Sequence, residues 1–108
     1  MLCLSASKFL FALFLTSTTA FALEPEAGRQ KELVRLVRQD CGSCHGMTLK
    51  GGLGPALLPE NLQEKPAAGL VATIYFGRPG TPMPPWQQFM SEAEAGWIVE
   101  KLMTEFPK

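Results

Sequence analysis

Cys41, Cys44 and His45 fall within six residues, CGSCHG from Cys41 to Gly46, that hold two of the chain's three cysteines and its only histidine. Two thiols three positions apart beside an imidazole support three chemistries: a redox disulfide, half of a metal site, or anchorage of a haem through two thioethers. A redox C-x-x-C belongs in a βαβ setting, and this chain offers no such strands around the motif. A structural zinc site needs four ligands, usually Cys or His, and once Cys3 is set aside with the N-terminal segment no fourth remains. C-x-x-C-H is a haem attachment pattern, in which the thiols add to the vinyl groups and the adjacent imidazole is held against the iron. The residues thus point to one covalent haem c bound by Cys41 and Cys44, with His45 as an axial iron ligand.

An iron with one histidine needs a sixth ligand or an open site. With a single histidine in the chain, a bis-histidine iron is excluded. Met47 lies two residues from His45 and cannot reach the opposite face of a haem, while Met90 and Met103 fit gap-filling beside or within the last helix. Met83 stands in TPMPP, where Pro84 pushes it toward extended conformations and neighbouring prolines fix φ at their own positions. Little chain entropy is left to lose there on ligation, so Met83 is the candidate second axial ligand. The alternative is a methionine that covers apolar surface in a turn.

Three helical segments must position these groups. The first is expected from about Pro25 to Asp40, with Pro25 at the first helical position, Glu24 and Glu26 near the positive end, and Arg35 and Arg38 near the negative end. Its apolar stripe is Leu33, Val34, Leu36 and Val37, and steps of four from Leu33 lead through Val37 to Cys41, so a helix reaching that far delivers the first thiol into the core. The second, PAAGLVATIYF from Pro66 to Phe76, is bounded by Pro66 and Gly77; Val71, Thr73, Ile74 and Tyr75 would also suit a strand, but the spacing favours helix. The third opens with SEAE, where Ser91 and Glu94 form a capping box ahead of Ala95, Ile98, Val99, Leu102 and Phe106, and should end near Phe106 because of Pro107. Two loops rich in glycine and proline, Gly46 to Lys65 and Gly77 to Trp86, separate them. Loops that long in a small domain are expected to wrap a ligand.

Residues 1–22 read as a secretory signal: Lys8 is the one charge, Phe9 to Leu15 is an apolar run, and Ala20 and Ala22 make an A-x-A cleavage site. The run is too short to span a membrane, and the alternative is an uncleaved N-terminal anchor. Removing 22 of 108 residues leaves 86, a single domain at 23–108 with both remaining cysteines in the motif. A domain this small is marginal on its hydrophobic core alone and calls for a cofactor. The chain carries ten basic and ten acidic side chains with interspersed signs, which gives no basis for nucleic acid or an anionic membrane as partner.

Residues 41–45, GLGPAL from Gly52 to Leu57 and MPPW from Met83 to Trp86, set between an N-terminal and a C-terminal helix, resemble a small class I monohaem cytochrome c over essentially the whole mature chain. The resemblance implies an all-α fold of three or more short helices and long loops around one haem. It also implies His45 and Met83 as axial ligands and a Pro55 carbonyl bonded to the His45 ring N–H. The last helix departs from many relatives in reading Lys101-Leu102 where an aromatic precedes leucine, and Trp97, one turn earlier, is expected to take over that packing against Gly28. Leu33, Val37, Leu57, Leu70, Ile74, Ile98 and Leu102 are expected to pack around the haem, with Arg78 and Trp86 either near its propionates or structural.

More narrowly, CGSCHGMTLKGGLGPAL with MPPW and SEAEAGWIVEKL is similar to the small periplasmic cytochrome c associated with the cytochrome cd-type nitrite reductase of denitrifying bacteria. That similarity implies a periplasmic electron carrier rather than an enzyme, donating to the reductase, with assembly or insertion of d-type haem as the alternative. A small-molecule-binding haem sensor or enzyme is the remaining rival. Helices joined by long loops fit a monomer or a loop-swapped dimer.

Overall fold

Glu26 ends an extended approach with its carbonyl accepting the Gln30 N–H at 2.8 Å, and the first helix, α1, runs from there as Ala27–Leu36. The computed structural model describes residues 24–108, so the expected signal at 1–22, Cys3 and Leu23 lie outside the described residues. Pro25 stays just outside α1, where its carbonyl accepts the Gln30 side-chain amide at 2.7 Å.

The helical path does not stop at Asp40. It passes into a π-helical turn, Val37–Cys41, and then directly into α2, Gly42–His45. Such turns place one extra residue in the helical path and often occur at functional sites. Leu33 and Val37 are fully buried, and Cys41 is half-buried and packed against the same cluster, so the continuous run carries the motif to the core.

Two further short helices complete the architecture before the last: α3, Pro59–Leu62, and α4, Ala67–Phe76. The segment α3 lies inside what the sequence suggested was a plain loop; Pro59 starts it, and Leu62 is buried. The helical reading of 66–76 holds over the strand reading, with Pro66 before the helix and Gly77 at φ 72° after it.

The last helix, α5, is Glu92–Met103, and the Ser91–Glu94 capping box is complete in both directions. Ser91 Oγ accepts the Glu94 N–H at 3.1 Å while the Glu94 carboxylate accepts the Ser91 N–H at 2.9 Å. The helix ends three residues before the expected Phe106. The Thr104 N–H and hydroxyl both donate to the Glu100 carbonyl, and the chain then leaves the helix so that Pro107 O accepts Arg38 Nη2 at 2.6 Å. Phe106 meets the Arg38 guanidinium 5.2 Å from its ring centroid.

All described elements are helical, with no strands among the described residues. The buried core joins Leu33 and Val37 of the first run, Leu62 of α3, Leu49 and Met90 of the connections, and Ala95, Trp97, Ile98 and Leu102 of α5. Trp97 enters this cluster, but not against Gly28: a Cβ at Gly28 would meet nothing within 4 Å. What ties α1 to the start of α5 is polar instead, an Arg29–Glu94 fork at 2.8 and 3.0 Å. Leu57, Leu70 and Ile74, expected in the core, pack against it only in part. Their remaining surface faces a cavity.

Candidate haem site

The end of α2 cannot continue as helix, because the Gly-rich loop turns back over it. Gly51 N–H donates to the His45 carbonyl at 2.8 Å and Gly54 N–H to the Cys44 carbonyl at 2.7 Å, so carbonyls that a helix end leaves without partners are satisfied. The same turn brings Pro55 O to 2.6 Å from His45 Nδ1. A carbonyl can only accept, so Nδ1 carries the proton and Nε2 keeps its lone pair for a metal. Gly54 is packed against the imidazole so closely that a Cβ there would lie 2.8 Å from the ring.

On the other side of the site the loop after α4 closes on itself. Arg78 N–H donates to the Met83 carbonyl at 3.1 Å, Met83 N–H to Thr81 Oγ1 at 3.4 Å, and Trp86 N–H to the Ile74 carbonyl at 3.0 Å. Gly77 makes this return possible: its φ is 72°, and a Cβ would sit 2.8 Å from the Pro84 carbonyl carbon.

Between these loops lies a cavity of about 980 Å³. Cys41, Cys44 and His45 line it from the helical run, Pro55 and Leu57 from the Gly-rich loop, and Met83 and Trp86 from the Pro-rich loop. Leu70 and Ile74 of α4 and Ile98, Val99 and Leu102 of α5 supply apolar walls. Pockets of roughly 300–1,000 Å³ with apolar walls and a few placed polar groups are those that enclose a bound organic ligand. Both cysteines are free. Burial, and then the neighbouring Asp40 carboxylate, pushes the Cys41 thiol up to about 11. It therefore stays protonated near neutral pH. An imidazole with one lone pair turned outward, two thiols and a thioether on one apolar cavity fit a covalently attached haem.

Sequence reasoning had placed Arg78 and Trp86 near the propionates or in a structural role, and both line the cavity. It missed Lys65, which with Arg78 makes up the Lys and Arg residues lining the cavity, against Asp40 as the one acid. The available signal was its place immediately before Pro66 at the start of α4. Met90, read as gap-filling, is indeed buried in the core at 5% exposure, and it lines the cavity as well. Met47 and Leu53, at 63% and 95% exposure, leave an apolar surface beside the motif.

Residues 28–100 match the family model described as cytochrome c oxidase, cbb3-type, subunit III. The chain is 60% identical over 79 residues to cytochrome c55X of Pseudomonas aeruginosa, a stretch covering 73% of this chain and 66% of that one. A solved structure described as the c-type cytochrome NirC superposes with a TM-score of 0.72 at 58% identity, covering 73% of this chain and 93% of that chain. The chain is also 38% identical over 73 residues to dihydro-heme d1 dehydrogenase of Pseudomonas aeruginosa, 68% of this chain but 15% of that enzyme.

Proposed function

The chain belongs to the cytochrome c family described as cbb3-type cytochrome c oxidase subunit III, a monohaem electron carrier with covalent haem c, and from that premise we propose that it is a periplasmic electron donor to a nitrite reductase. In this reading residues 1–22 are a cleaved export signal, Cys41 and Cys44 hold the haem, and His45 and Met83 are its axial ligands. The observation that carries it is the single cavity that Cys41, Cys44, His45 and Met83 all line.

When bound, the haem supplies a one-electron couple at its iron. The protein's part is to tune and expose that couple. Pro55 O holds the imidazole in the tautomer that leaves Nε2 as a basic ligand. The Met83 thioether, soft and neutral, would favour ferrous iron if it served with His45 as an iron ligand. Lys65 and Arg78 line the cavity and would supply positive charge to the haem propionates. A neutral overall charge and the exposed Met47 and Leu53 beside the motif suit a brief, small contact below ~1,200 Å², as in other transient redox encounters.

Stopped-flow mixing of the reduced protein with oxidised cytochrome cd-type nitrite reductase tests the donor role. Sub-second oxidation with a shallow salt dependence is expected, because interspersed charges give little long-range steering. A second reading is favoured by one observation, the likeness to part of dihydro-heme d1 dehydrogenase, and places the chain in the making or insertion of d-type haem. No electron transfer to the reductase, together with loss of its d-type haem when this gene is deleted, would select that reading. Rapid carbon monoxide binding to the reduced native protein would instead indicate a sensor or enzyme with an open iron.

A further inference from the structure

Arg29 uses its guanidinium to hold three places at once. Nε and Nη2 fork the Glu94 carboxylate at 2.8 and 3.0 Å, Nη2 also donates to the Phe89 carbonyl at 2.8 Å, and Nη1 reaches Glu32 at 2.9 Å. Among the described residues the bonds to Glu94 and Phe89 are the only hydrogen bonds between the helical run that carries the haem motif and the chain from Gly77 to Glu94. The two sides so joined are the two sides of the cavity: His45 ends one, and Met83, Trp86 and Met90 lie on the other.

From Phe89 the restraint runs back toward Met83 without a slack link. Phe89 N–H donates to the Trp86 carbonyl at 2.9 Å, Trp86 N–H is bonded to Ile74, and Pro84 and Pro85 have φ fixed by their rings. In the other direction Met90, next to Phe89, is buried in the core and lines the cavity. The Arg29 and Glu94 side chains are 33% and 21% exposed, so as an ion pair they are screened and contribute modestly to global stability. Their geometry matters more than their charge.

We propose that Arg29 is a positioning residue for the sixth ligand: its grip on the Phe89 carbonyl and the Glu94 carboxylate keeps the Met83 loop closed over the haem cavity. The inference rests on the reading of Met83 as axial ligand. Lysine cannot replace it in full, because an ammonium can pair with Glu94 but lacks the planar fork that also reaches Phe89 O.

The test compares the haem-loaded parent with Arg29→Gln, Arg29→Lys and Met83→Ala. Two signals are followed through a urea titration, the weak sulfur-to-iron absorption of the oxidised protein and the helical circular dichroism; carbon monoxide binding to the reduced protein is timed separately. In Arg29→Gln the sulfur absorption should vanish at a lower urea concentration than the helices, and carbon monoxide should bind about tenfold faster or more, as for loss of a charge-assisted hydrogen bond. Arg29→Lys should fall between Arg29→Gln and the parent. If the two urea transitions keep their parental spacing and carbon monoxide binds at the parental rate, Arg29 is only a surface tie and the proposal is overturned. Should Arg29→Gln not load haem, Arg29→Lys is judged by the same two criteria. Met83→Ala separates the premise from the inference: if it keeps the sulfur absorption, the assignment of Met83 fails, whereas if it loses that absorption while the Arg29 variants behave as parent, only the role of Arg29 fails.

Discussion

His45 Nδ1 lies 2.6 Å from the carbonyl oxygen of Pro55, and the residue between the two backbones, Gly54, leaves no room for a side chain against the imidazole. The tautomer and the tilt of the ring are therefore set by one loop. In Gly54→Ala the new methyl group would sit 2.8 Å from the ring, so either the loop or the imidazole must move. The expected cost is about 1–3 kcal/mol, typical of overpacking. Thermal unfolding of the haem-loaded variant measures it, and the Nδ1–H proton resonance should shift or exchange faster. An unchanged melting temperature with an unchanged resonance would show that the loop does not set the ring.

Two methionines, Met83 and Met90, line the cavity, and their surroundings separate them. Met90 is 5% exposed within the core cluster, whereas Met83 is half-buried in a proline-framed loop that returns across Gly77. Met83→Ala should abolish the sulfur-to-iron absorption, lower the reduction potential and open the iron to carbon monoxide. Met90→Ala should keep that absorption and lower stability by about 2–5 kcal/mol, the usual cost of truncating a buried methionine. The reverse pattern would make Met90 the ligand.

The parts of this fold that sequence could show were those written in local patterns. Ser91 and Glu94 stand three residues apart, and their reciprocal bonds are both present; Pro66 and Gly77 bracket α4 as their backbone preferences require. Covalent reach and ligand chemistry limit residue type and spacing enough to single out the cysteines, His45 and Met83 as candidates, and all four line one cavity. What sequence did not show depends on contacts between distant segments. The π turn at Val37–Cys41 is a change of helical pitch with no residue signature, and beyond the stop of α5 at Met103 the chain meets Arg38 through Phe106 and Pro107. The expected Trp97–Gly28 contact failed for the same reason, since the approach of α1 to α5 is made by Arg29 and Glu94, 65 residues apart. Lys65 had no visible role until α4 placed it on the cavity wall.

Glu94 gives a pH dependence whose sign can be worked out. Hydrogen bonds from Arg29, and then from the Ser91 backbone, hold its carboxyl below the usual carboxylate range against the opposing effect of burial. The unfolded chain, with an ordinary glutamate pKa of about 4.3, binds this proton more readily than the native chain does. The contribution is thus complete above that ordinary value and is lost as pH falls through the lowered native one. Glu94→Gln keeps an oxygen for the Ser91 N–H but loses the charge. It should be less stable than the parent by roughly 0.5–1 kcal/mol at pH 7, as for a partly exposed pair at a helix cap. The difference should start to shrink as pH falls below the ordinary glutamate value and be lost only below the lowered native one, where the parent's carboxyl is itself protonated. Urea unfolding of both proteins at the two pH values checks this; a gap that is the same at both would remove the Arg29–Glu94 charge from the account.

The last prediction concerns removal of the haem. The cavity of about 980 Å³ is walled by Leu57, Leu70, Ile74, Ile98, Val99 and Leu102, and α4 has no fully buried residue of its own. Without haem the apolar walls of this open space face water, and each Å² of apolar surface left unburied forfeits ~25 cal/mol. The whole stability of a small domain is only ~5–15 kcal/mol, so a chain that cannot attach haem should not hold this arrangement. Water entry or collapse must replace it, and α4 should loosen first because its apolar side meets the cavity. α5 keeps Ala95, Trp97, Ile98 and Leu102 in the buried cluster and should persist longer. The variant Cys41→Ala with Cys44→Ala, expressed alongside haem-attachment machinery, should carry no covalent haem by mass spectrometry, while the parent carries one. Its hydrogen exchange should be fast throughout Ala67–Phe76 and slower in Glu92–Met103. A variant without haem that protects both helices as well as the parent would mean that the protein core, not the cofactor, sustains the fold.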